Sequence, residues 1–159
     1  MKKTLGLMVS ATALLGVINL AQATGEENKK EEKTDLPEIY LSVFNTSTEV
    51  FTDLKTTTLS RSNPNLQLCW VAQGQFGQTV SVVETLKAPK KQNVVANGSE
   101  VSTSKNGREN VIRSTLNASE QGHLVRCWRF DESDPLGKYK LKVQILEKSY
   151  PDFSFTVAK

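Results

Sequence analysis

Lys138-Tyr139-Lys140-Leu141-Lys142-Val143-Gln144-Ile145 alternates polar and apolar side chains without a break. Successive strand residues point to opposite faces, so Tyr139, Leu141, Val143 and Ile145 line one side and the lysines the other. This is a half-buried β-strand. The same period of two recurs toward the C-terminus, where Phe153, Phe155 and Val157 alternate with Ser154 and Thr156. Leu66, Leu68, Trp70 and Ala72 alternate with Gln67, Cys69, Val71 and Gln73, and Leu124, Trp128 and Phe130 share a face that Arg126 interrupts. Weaker patterns predict strands over Glu38–Asn45, Glu49–Leu59, Thr79–Lys87, Asn93–Ala96 with Glu100–Ser104, and Asn110–Leu116.

Turn residues punctuate these runs at Asn63-Pro64-Asn65, Gly74 to Gly77, Asn97-Gly98, Asn106-Gly107 and Asp134-Pro135-Leu136-Gly137. Asn-Gly pairs supply the positive φ angles that tight hairpins require. Short alternating strands separated by such turns predict an all-β sandwich or barrel. No sustained helical period follows residue 36.

The first residues carry an address. Lys2 and Lys3 precede an apolar stretch from Leu5 to Leu20, and Ala21-Gln22-Ala23 has the small-x-small form of a cleavage site. This is the layout of a bacterial secretory signal over residues 1–23, with the mature chain starting at Thr24. The stretch is short for a spanning helix, so no membrane anchor is expected after cleavage. Residues 24–35, Thr-Gly-Glu-Glu-Asn-Lys-Lys-Glu-Glu-Lys-Thr-Asp, hold no apolar side chain and read as a disordered, charged tether. The remaining residues, 36–159, form one domain.

The 159-residue chain has 20 basic and 17 acidic residues and a formal charge of +3. Loss of Lys2 and Lys3 leaves 18 basic residues and a net charge of +1. Such a balance argues against nucleic acid as a partner. Two cysteines and one histidine exclude a four-ligand Cys/His zinc site. In an exported chain Cys69 and Cys127 most simply form a disulfide, with two free thiols as the rival. Each cysteine precedes a tryptophan, so if Trp70 and Trp128 face the core, both cysteines face away from it. A bridge would then join neighbouring strands of one sheet, closing a loop of roughly 60 residues worth about 4 kcal/mol.

Catalytic signals are sparse. A triad would have to use His123, which follows Gly122 at the start of a strand, and no Gly-x-Ser-x-Gly elbow is present. Asp131, Glu132 and Asp134 offer oxygens for a divalent cation, but they lack a calcium-loop spacing and sit where a strand must turn. No phosphate-binding glycine loop or cofactor fingerprint occurs. Gln75, Phe76 and Gln78 form a candidate binding loop at a hairpin tip, with Phe76 either an exposed anchor or a cover over the end of the core. Lys87, Lys90 and Lys91 surround Pro89, while Lys138, Lys140 and Lys142 make a basic stripe. That stripe reads first as a solubility device and second as a surface for anionic glycans or lipopolysaccharide.

Asp134-Pro135-Leu136-Gly137-Lys138-Tyr139, the alternating strand after it and the final Phe-x-Phe-x-Val strand resemble the closing hairpin of bacterial immunoglobulin-like domains. The resemblance covers about the last thirty residues and implies an immunoglobulin-like antiparallel β-sandwich with no particular activity. The chain departs from the antibody pattern in its Cys-Trp pairs and in lacking a tyrosine two residues before Cys127. A chaperone–usher pilin is disfavoured, since the leader is charged and the last strand complete. The expectation is an exported, non-catalytic binding or accessory protein of the bacterial envelope or a surface structure. Its partner would be another protein of the envelope, an appendage or a host, engaged at a sheet edge or a loop. The alternative is a secreted inhibitor or effector acting on a host or competitor enzyme.

Overall fold

Eleven strands and no helix make up the residues that the computed structural model describes, 37–159. The expected signal and tether, residues 1–35, lie outside them. The strands are β1 (Glu38–Asn45), β2 (Thr52–Asp53), β3 (Thr58–Ser60), β4 (Leu66–Gln73), β5 (Thr79–Lys87), β6 (Glu100–Thr103), β7 (Glu109–Asn117), β8 (Leu124–Trp128), β9 (Gly137–Ile145), β10 (Lys148–Ser149) and β11 (Phe153–Ala158). They form two sheets, one of four strands in the order β2-β1-β4-β8 and one of seven in the order β3-β11-β9-β5-β7-β6, with β10 paired to β9. The fold is the all-β sandwich that the alternation predicts. Pairing is antiparallel throughout except where β3 runs parallel to β11.

The alternation places the core. Tyr139, Leu141, Val143 and Ile145 of β9, Val80, Val82 and Leu86 of β5, and Phe155 and Val157 of β11 are buried against Leu41, Val43, Leu68, Trp70, Ala72 and Leu124 of the other sheet. At one end Phe130, Tyr139 and Phe155 pack ring to ring at 5.0–5.6 Å between centroids. The Tyr139 hydroxyl donates to the Pro135 carbonyl at 2.6 Å, so the phenol is satisfied where its ring is buried.

One charged group breaks the apolar pattern. Glu84 occupies an inward position of β5, in step with Val80, Val82 and Leu86, and is 0% exposed. Its Oε1 accepts from the indole nitrogens of Trp70 at 2.8 Å and Trp128 at 2.7 Å. Arg126 Nε stands 3.1 Å from its Oε2, and the Arg126 guanidinium lies 4.6 Å from the centre of the Trp128 ring. Burial pushes the Glu84 carboxyl up, against the lowering effect of the two indoles and the arginine. The cluster joins β5 of one sheet to β4 and β8 of the other.

Cys69 and Cys127 form the disulfide and are register partners on adjacent strands β4 and β8. Their Cα atoms are 4.0 Å apart, the close approach of a non-hydrogen-bonded antiparallel pair. The bridge therefore lies within one sheet. Cys69 belongs to the side opposite Trp70, as expected, but is covered rather than exposed.

Three element expectations are corrected. Glu49–Leu59 is not one strand but two short ones, because the Asp53 side chain hydrogen-bonds the Lys55 amide at 2.7 Å and turns the chain away. Asn93–Ala96 runs without a strand neighbour and pairs with nothing regular, leaving Val95 on the surface. The strand carrying Leu124 and Trp128 ends before Phe130, whose ring instead joins the aromatic cluster. The small β10 hairpin carries no alternating signal.

Candidate functional site at the open edge of β1

β1 pairs with β4 along its whole length, from Glu38 opposite Gln73 to Asn45 opposite Leu66. On its other side β2 reaches only Phe44 and Asn45. Val43 adds two bonds there, its amide donating to Thr56 and its carbonyl accepting from Leu54. Backbone groups alternate sides along a strand, so Ile39 and Leu41 point theirs the same way as Val43. Among the described residues, no strand stands beside them on that side. The first half of β1 is an open sheet edge.

Local chemistry explains the opening. The Ser42 hydroxyl donates to the Asp53 carboxylate, which also accepts from the Lys55 amide, and Lys55 adopts a left-handed φ of 51°. Ser42 Oγ also lies 3.4 Å from the Thr56 carbonyl. This side-chain turn draws the chain off β1 and leaves an open cleft of about 630 Å³ lined by Tyr40, Leu41, Ser42, Asp53, Lys55, Thr56 and Thr57. Burial and the Asp53 charge push the Tyr40 phenol above its ordinary range, so it remains a donor. Leu54, between the cleft residues Asp53 and Lys55, is 42% exposed. Val50 and Phe51, also exposed, precede β2 at the Asn45 end of β1. The arrangement offers main-chain hydrogen bonds, a cleft and one exposed apolar neighbour within one short stretch.

The residues singled out from sequence fall elsewhere. Phe76 is half-buried and packs against the core, its amide donating to the Gly122 carbonyl at 3.0 Å. Gln75 and Gln78 are exposed, with Gln75 Nε2 donating to the Gln121 carbonyl at 3.3 Å. Gly122, at φ 80°, makes this contact close: a Cβ there would lie 3.0 Å from the Gly74 carbonyl oxygen. His123 Nδ1 accepts from the Gly74 amide at 3.3 Å, tying the same two loops together. Its imidazole therefore has a structural partner.

Asp131 and Asp134 form a turn. The Asp131 carboxylate accepts from the Ser133 amide at 2.7 Å and hydroxyl at 2.6 Å, which holds its pKa below the usual range. Asp134 accepts from the Asp131 amide at 2.9 Å and from Gln92 Nε2 at 2.6 Å. Among the described residues no group of three His, Cys, Asp or Glu side chains is placed to hold a metal ion. No helix among them is long and apolar enough to cross a membrane.

The open edge was missed from sequence, although β1 itself was not. Its only sequence trace is the Ser/Thr-rich segment after β1, which does not alternate. Glu84 left a clearer trace, as a carboxylate at an inward position of an otherwise regular strand.

Residues 39–158 match the family described as PM0630 beta sandwich domain. The chain is 25% identical over 162 residues to a Pasteurella multocida (strain Pm70) protein designated uncharacterized protein PM0630, with 100% of each chain covered.

Proposed function

We propose that this chain, which belongs to the PM0630 beta sandwich domain family, is an exported, non-catalytic binding protein that engages another protein at the open edge of β1. The observation that carries this reading is the unpaired half of β1 beside an open cleft and the exposed Leu54. An extended segment added there would complete main-chain hydrogen bonds along Ile39 and Leu41, with alternate side chains entering the cleft. An unpaired edge with an exposed apolar side chain next to it favours a partner strand over solvent. The intramolecular disulfide fits an extracytoplasmic protein, and the Lys2–Ala23 segment supplies the route. An envelope or surface-structure partner is the reading adopted.

The test is chemical cross-linking in the native host, sampled separately from periplasm and medium, with the unmodified chain and a Leu54→Asp variant. The proposal expects one dominant protein adduct that the variant loses while remaining folded. An adduct equally abundant in the variant would move the interface elsewhere. A chain free of endogenous adducts in the medium would displace the envelope reading in favour of a secreted inhibitor or effector.

A further inference from the structure

The outer face of the seven-stranded sheet brings together two basic stretches that are far apart in sequence. Lys138, Lys140 and Lys142 stand on one face of β9, and Lys140 is the register partner of Lys87 on β5. Gly137 lies against Pro89, so Lys90 and Lys91 follow at the same end as Lys138. Hydroxyls flank the stripe, with Ser154 opposite Lys140, Thr156 opposite Lys138 and Thr85 opposite Lys142. Lys87 has a carboxylate partner, Glu109 at 3.1 Å. Among the described residues, Lys138, Lys140 and Lys142 have none within ion-pair distance.

Like charges directly opposite each other on a sheet are destabilising, and solubility alone is served as well by interspersed signs. A single-sign ladder retained on a flat face is a local conflict of the kind that marks function. We propose that this face binds an acidic polysaccharide, whose carboxylate or sulfate groups meet the lysines and whose hydroxyls meet Ser154, Thr156 and Thr85. Charge complementarity over about 13 Å of β9, at the rise of an extended strand, sets the footprint. The most exposed apolar side chains, Val50, Phe51, Leu54, Val95, Val125, Leu136 and Leu146, all lie off the strands of this sheet. The strands of this face carry none of the most exposed apolar side chains, which disfavours insertion into a bilayer.

The test measures binding of the purified chain to dextran sulfate and to polygalacturonate at about 0.15 M salt, where weak surface attraction is screened. Neutral dextran, phosphatidylglycerol vesicles and duplex DNA are the comparison ligands. A Lys138→Ser/Lys140→Ser/Lys142→Ser variant should lose about tenfold or more in affinity and show a flatter salt dependence, since fewer counterions are released. Lys105→Ser/Arg129→Ser/Lys159→Ser removes the same charge elsewhere and should bind as the unmodified chain does. Replacement of the three β9 lysines by arginine should preserve binding. Equal losses in both serine variants would overturn the proposal, as would tighter binding to vesicles or DNA, or no binding to either acidic polysaccharide.

Discussion

Glu84 shows how much a single side chain is asked to hold. Its carboxylate answers two indole N–H groups and a guanidinium inside the sandwich, so Glu84→Ala leaves three donors without their acceptor. Removing one partner of a buried ion pair costs about 3–5 kcal/mol, and urea denaturation of Glu84→Ala at pH 7 should show a loss of that size. The pH dependence has a definite sign. The folded-state pKa is raised by burial, so the native chain binds this proton more tightly than the unfolded chain. Its contribution is full below the ordinary carboxylate range and declines as pH rises from there through the folded pKa. Relative to Glu84→Gln, the unmodified chain should therefore lose stability as pH rises above the ordinary carboxylate range. A gain in stability relative to Glu84→Gln with rising pH would contradict the raised pKa. Arg126 was visible in the sequence as a charge interrupting the apolar face of its strand, and Glu84 was passed over within the Thr79–Lys87 strand. Their pairing was not, because alternation gives the face of a strand but not which strand lies across the core.

The disulfide acts at the same scale. Cys69 and Cys127 are 58 positions apart, and closing a loop of that length limits the unfolded chain by about 4 kcal/mol. Cys69→Ser/Cys127→Ser should lower the free energy of urea unfolding by an amount of that order, with the added cost of a buried hydroxyl at position 69. The bridge was legible because a secretory-type leader, an even cysteine count and the two Cys-Trp pairs all agreed.

At the scale of elements, the longer strands were the readable ones. β5 was expected over Thr79–Lys87 and forms over those residues, held between β7 and β9. The segment from Glu49 to Leu59 has comparable β-branched content, yet Asp53 and Ser42 bind one another and break it. Side-chain competition with the backbone is local chemistry, but its outcome depends on a partner eleven residues away. The open half of β1 arises from that break, which is why the strand was legible and its free edge was not. The loop pair 74–78 and 118–123 offers an independent check. Gly122→Ala would place a β-carbon against the Gly74 carbonyl in a left-handed conformation, at a cost of about 1–3 kcal/mol. Thermal unfolding should record a lower midpoint, and a neutral substitution would show that the two loops are not held so closely.

At the scale of the molecule, the sandwich follows from counting faces. Each long strand presents one apolar side, and two sheets are the smallest arrangement that covers both. The sequence reading reached that architecture, but not the strand order or the parallel β3–β11 pair, since nothing in a strand's composition names its neighbour. N-terminal sequencing of the protein recovered from its host should begin at Thr24. A chain still starting at Met1 would remove the export route on which the functional reading depends.

The two proposed binding surfaces, the β1 edge and the β9 face, lie on different sheets and can be interrogated separately. The central claim concerns the edge, and a photoreactive residue placed at Lys55, compared with one at Gln78, tests it most directly in living cells. The account predicts a discrete protein adduct from position 55 and none from position 78, with the position-55 adduct lost when Leu54 is changed to Asp. Adducts from position 78 alone, or from neither position, would contradict it.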